Sequence, residues 1–152
     1  MTRLNATMRT LGADIEVEDT AVGLFEYETG AVGVIEATTA ARPDDFEASM
    51  SIVGSKGLAQ MGGVAVNELQ IFTPAPEECA KHSEDFKGIN GFGAVYGFGH
   101  SNMYFDIYQY FSNKRPYPVD QEDCLSTIQL LHAFYRSDEI GGWVNVSGSA
   151  QS

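Results

Sequence analysis

GFGHSNMYFDIYQYFSNKRPYPVDQEDCLSTIQLLHAFYRSDEI, residues 97–140, is the stretch whose reading decides the fold. It opens on a glycine-rich approach and continues as a helix over about 101–112. In this helix Met103, Ile107, Tyr110 and Phe111 fall on one stripe, widened by Tyr104 and Tyr108. Lys114-Arg115-Pro116 ends it, and Pro116 and Pro118 hold the connector extended. Asp120 is the expected N-cap of a second helix that runs to about Ile140, with Asp123 in its dipole-favoured first turn. Cys124, Ile128, Leu131 and Tyr135 form its expected buried stripe, broadened by Leu130 and Phe134. Gly141-Gly142 supplies the C-cap.

Working outward, the residues before this stretch read as strands. Arg3–Leu11 alternates loosely. Thr20–Tyr27 and Ala31–Thr39 flank Glu28-Thr29-Gly30, a hairpin whose glycine takes positive φ. Residues 46–53, 58–61 and 64–72 form a meander, with Gly54-Ser55-Lys56-Gly57 and Gly62-Gly63 as its turns. The first hairpin carries apolar residues on both faces, so two coverings are required. Helices cover one face; another subunit or domain covers the other. Residues 74–93 read as a long polar loop, Trp143–Val146 as a last strand, and 147–152 as a disordered tail. The expected class is therefore α+β: an open, mostly antiparallel sheet with two main helices on one face, in one domain over residues 1–146.

The composition narrows the function. Nine Lys and Arg stand against 21 Asp and Glu, a net charge of -12 with no basic cluster. That excludes nucleic acid and anionic membrane as partners. No apolar run is long enough to span a bilayer, and residues 1–12 lack the apolar core of a signal peptide. Cys79 and Cys124 read as free thiols of a cytoplasmic protein. The four carboxylates of residues 14–19 read as a solvated acidic turn rather than an acid–base pair or a metal site. Gly91-Phe-Gly93 and Gly97-Phe-Gly99 lack the third glycine and the parallel βαβ setting of a dinucleotide loop, so no cofactor site is expected here. Among the histidines, His82 reads as solvated and His132 as a core residue at the edge of the helical stripe. His100 stands at a helix N-terminus, where free amides and the dipole favour an anion such as phosphate or carboxylate. No second His or Cys lies at ligand spacing, so no metal is assigned.

An ordered set of landmarks carries a resemblance. Glu18-Asp19-Thr20 leads into the Glu28-Thr29-Gly30 hairpin, followed by Ile52-Val53-Gly54-Ser55-Lys56-Gly57 and Gly99-His100. Then come Arg115-Pro116, Val119-Asp120, Ala133-Phe134-Tyr135-Arg136-Ser137 and Gly142-Trp143-Val144. From about Arg3 to Val146 the chain resembles the C-terminal domain of the Gfo/Idh/MocA oxidoreductases, the glucose-fructose oxidoreductase and inositol dehydrogenase family. The resemblance implies a part of an NAD(P)-dependent sugar or polyol dehydrogenase, with substrates extending to nucleotide sugars. It implies an N-terminal Rossmann domain that holds NAD or NADP, and homo-oligomers formed through the open sheet face. The family's Gly-rich nucleotide loop, catalytic Lys and catalytic His motif are not matched by any residues of this sequence. The chain is thus expected to be a separated C-terminal domain, catalytically inactive alone. Expected substrate contacts are His100, Arg42 as an anion or hydroxyl clamp, Tyr96 as a stacking or hydroxyl contact, and Asn102 as a polar orienter. The rival from another class is a free-standing, non-catalytic module that binds a partner or dimerises through the sheet face.

Overall fold

The computed structural model describes residues 1–43, 47–63, 66–82 and 99–146. The class is as expected: α+β, with open antiparallel sheets and two substantial helices. The chain divides into two compact units, Met1–Ala41 with Val119–Ser152, and Arg42–Pro118. Seven strands are described: β1 Arg3–Arg9, β2 Thr20–Glu26, β3 Val32–Thr38, β4 Met50–Gly54, β5 Gly57–Gly62, β6 Glu68–Phe72 and β7 Val144–Asn145. The helices are α1 Glu77–His82, α2 Gly99–Phe111 and α3 Gln121–Ile140.

In the first unit the strand order is β3-β2-β1-β7, every pair antiparallel. The register pairs Leu4 with Phe25 and Phe25 with Gly33, and Ala6 with Gly23. These residues share one face, because side chains alternate along a strand. Leu4, Ala6 and Met8 of β1 are buried there against Ala133 and Phe134 of α3, with Phe25, Ile35, Leu130 and Val144 around them. Two glycines make room. A Cβ at Gly23 would come within 2.8 Å of the Phe134 ring, and one at Gly33 would overlap the ring of Phe25, which lies across that strand. At Gly30 the φ of 83° completes the β2–β3 hairpin as the sequence requires.

The buried stripe of α3 differs from the expected one. Leu130, Ala133, Phe134 and Ser137 face the sheet at i, i+3, i+4 and i+7. Cys124, Ile128, Leu131 and Tyr135 are exposed among the described residues. His132, read as a core residue, is exposed as well. The helix is apolar over much of its circumference, so periodicity alone does not choose the face. The choice falls to Ser137, a small polar residue that an apolar stripe omits. Its Oγ accepts from the Ala6 N–H at 2.7 Å and donates to the Gly142 carbonyl at 2.6 Å. One residue on, Asp138 accepts from the Met8 N–H at 3.0 Å. β7 reaches only Arg3 and Leu4 of β1. Beyond that point helix side chains take over the strand's outward amides, which a buried sheet edge cannot leave unpaired.

Both ends of α3 form as read. Asp120 is the N-cap, accepting from the Asp123 N–H at 2.8 Å, and Asp123 reaches back to the Asp120 N–H to close a capping box. Gly141 at φ 68° ends the helix in the left-handed region, its N–H donating to the Ser137 carbonyl. Asp120→Ala should cost about 1 kcal/mol, the usual worth of such a cap. Urea unfolding of the purified chain reads this directly, and an unchanged midpoint would show that α3 is held by packing alone.

In the second unit β4, β5 and β6 form a three-stranded meander, joined at Ser55-Lys56 by the expected tight turn. β4 and β6 are shorter than the sequence reading, whereas β5 is longer. β4 begins at Met50 and β6 at Glu68, and the β5–β6 connection is longer than Gly62-Gly63, with Val66 at positive φ and a bulge at Gln60/Met61. Part of the expected 74–93 loop is the short helix α1. It is too brief for periodicity to reveal, but Glu77 and Glu78 in its first turn and Lys81 and His82 in its last suit the helix dipole. The aromatic stripe of α2, expected to be core, has no buried residue. Residues 147–152, expected to be a tail, lie outside the described residues.

Candidate functional site

Three of the four candidate contacts are described, and all fall in the second unit. His100 and Asn102 occupy the first turn of α2, both exposed. Backbone N–H groups there have no intrahelical acceptor, and no carboxylate stands in the turn to compete for them. That keeps the electrostatics favourable to an anion. Residues two apart on a helix point to different sides. His100 shares its side with Met103 and Tyr104, whereas Asn102 shares its side with Phe105 and Asp106. Arg42 is exposed at the start of the unit, before a cis peptide to Pro43. Tyr96 lies outside the described residues.

The far end of α2 carries its own charge pattern. Arg115 pairs with Asp106 and lies 5.5 Å over the Phe105 ring, and Lys114 lies 5.0 Å over Tyr108. Each cation gains a cation–π contact with one ring, and the rings of Phe105 and Tyr108 stay exposed.

The first unit holds a cleft of about 450 Å³ between the β1–β2 loop and α3. Its polar groups bond to one another. Arg9 pairs with Asp138 at 2.9 Å, Thr10 donates to the Val17 carbonyl at 2.7 Å, and the Tyr135 hydroxyl donates to Glu18 at 2.5 Å. The Glu18 carboxylate raises the Tyr135 phenol above its ordinary pKa. The Met8 N–H, aided by Arg9 and Thr7, holds Asp138 below the ordinary carboxylate range. A protonated phenol and an ionised carboxylate so engaged act as fasteners, not as a poised acid and base.

Asp19 is the residue that the sequence reading misplaced. Read as part of a solvated acidic turn, it is 3% exposed. Its carboxylate accepts from the N–H groups of Leu11, Gly12 and Ala13 and from the Thr20 hydroxyl, all between 2.7 and 3.0 Å. These donors, led by the Gly12 and Leu11 amides, hold its pKa far below the ordinary range. The signal was present as an Asp just before a strand with Gly12 seven residues upstream, but charge counting hides such a local hydrogen-bond ring.

Among the described residues no group of three or more His, Cys, Asp or Glu is placed to hold a metal ion, and no disulfide joins Cys79 and Cys124. No helix of the described residues is long and apolar enough to cross a membrane. The described residues also do not fit a dinucleotide. Every described strand pair is antiparallel, so no strand–turn–helix crossover presents a helix N-terminus to a pyrophosphate.

The outer face of the four-stranded sheet is the remaining surface of note. Val22, Leu24, Val32 and Val34 stand on it, all exposed, with Val34 at 59%. Arg3 and Glu26 pair at its rim, with Arg3 4.7 Å over the Trp143 ring.

Known proteins place this architecture. The WlbA dehydrogenase of Bordetella pertussis, solved with NADH and UDP-GlcNAcA, matches 95% of this chain at 29% identity and a TM-score of 0.78; the match covers 41% of that protein. The WlbA dehydrogenase of Chromobacterium violaceum, solved with the same two ligands, matches 95% at 28% identity and a TM-score of 0.75, over 39% of its length. Levoglucosan dehydrogenase, solved with NADH and levoglucosan, shares the fold at 21% identity and a TM-score of 0.70, over 96% of this chain and 45% of that one. The chain thus spans about two-fifths of the length of these structures. No curated protein matches it. Residues 3–146 match the family described as "Oxidoreductase family, C-terminal alpha/beta domain", and the chain accordingly belongs to the Gfo/Idh/MocA oxidoreductases as their C-terminal domain.

Proposed function

We propose that this chain is the substrate-binding and assembly part of an NAD(P)-dependent dehydrogenase of sugars, with an acidic nucleotide sugar as the favoured substrate class. The observation that carries the reading is the 29% identity, over 95% of the chain, to a dehydrogenase solved with NADH and UDP-GlcNAcA. The chemistry of α2 supports it. An exposed His100 in a first turn without acidic residues suits a carboxylate or phosphate, and Asn102 and Arg42 add neutral and cationic donors in the same unit. The dinucleotide belongs on a Rossmann domain, and hydride transfer needs both parts. Two cysteines without a disulfide between them suit a cytoplasmic enzyme.

In the dehydrogenase that contains this domain, His100→Ala should raise the KM for a UDP-sugar acid about tenfold or more. This is the scale of a lost charge-assisted hydrogen bond, and KM for NAD(P) should stay constant. Steady-state kinetics with each substrate varied in turn gives the answer. Unchanged KM and kcat would remove His100 from the site.

The outer sheet face is the assembly surface in this reading. An exposed apolar patch of this kind is what a two-fold interface buries. Val34→Asp places a like charge in both copies and should yield monomers by size-exclusion with light scattering at micromolar concentration, where the unaltered protein is a dimer or larger. A strictly monomeric unaltered protein would overturn the assembly role.

A further inference from the structure

We draw no further inference here: the strongest candidate, the aromatic surface of α2 formed by Tyr104, Phe105, Tyr108 and Phe111, is an unpartnered apolar face, and nothing among the described residues shows what covers it.

Discussion

Phe134→Ala should lower the unfolding free energy of the 152-residue chain by about 3–5 kcal/mol, the range for truncating a buried aromatic side chain. Phe134 is 7% exposed, and its ring lies directly on the backbone of Gly23. Because Gly23 has no side chain, truncation leaves a void that neighbouring strands cannot fill by a rotamer change. Leu4, fully buried at the same point, loses its partner on one side. Set against the 5–15 kcal/mol that ordinarily separates folded from unfolded chains, this is a large share. The contrast is Phe111→Ala. Phe111 is 77% exposed, so the same chemical change should stay within about 0.5 kcal/mol. Denaturant melts of both variants decide the matter. If Phe134→Ala cost no more than Phe111→Ala, the core would not be centred on the contact of α3 with β1 and β2.

The second large effect is expected at Asp19. Asp19→Asn keeps the size but removes the charge and turns one oxygen into an amide donor facing the Leu11, Gly12 and Ala13 N–H groups. Donors then meet donors, and the β1–β2 loop loses its fastening. The same loop is also held by the Thr10–Val17 and Glu18–Tyr135 hydrogen bonds and, at its end, by backbone bonds from the Asp19 N–H to the Arg9 carbonyl and from the Thr39 N–H to the Asp19 carbonyl. The loss should exceed that of Asp14→Asn, which removes an exposed carboxylate of the same loop. The pH dependence gives the sharper test. The folded pKa of Asp19 is depressed below that of the unfolded chain. Its contribution is therefore fully present above the ordinary carboxylate value of about 4, and is lost as pH falls below it. Asp138 and Glu26 are shifted in the same direction, so acid weakens the unaltered protein through all three. The difference between unaltered protein and Asp19→Asn isolates one of them. That difference should be constant from pH 7 to about 5 and shrink steadily below 4. A difference that stays flat down to pH 3 would mean that Asp19 acts through shape rather than charge.

Local chemistry makes much of this protein legible in its sequence. The caps of α3, the glycine of the β2–β3 hairpin, the Ser55-Lys56 turn and the ordered family landmarks each depend on residues within a few positions of one another. The position of His100 at a helix start is of the same kind, since a glycine-rich approach and a following periodic run mark it. What escaped depends on distant partners or on weak local signals. Ser137 belongs to no apolar stripe, and its place against the sheet depends on the Ala6 amide, 131 positions away. Asp19 reads as one acid among four until the chain folds back so that three amides converge on it.

By itself, then, the sequence determined the α+β class, the antiparallel pairing within each hairpin, the ends of the long helix and the family. Periodicity, turn residues and caps act over short stretches and need no partner. Only the tertiary structure decided which side of α3 is buried, how the strands are shared between two sheets, and which carboxylate is structural. An apolar residue gains from burial against any apolar surface, whereas a buried amide needs one acceptor at one place. Directional hydrogen bonding at the β1 edge therefore selected the face that hydrophobicity left undecided.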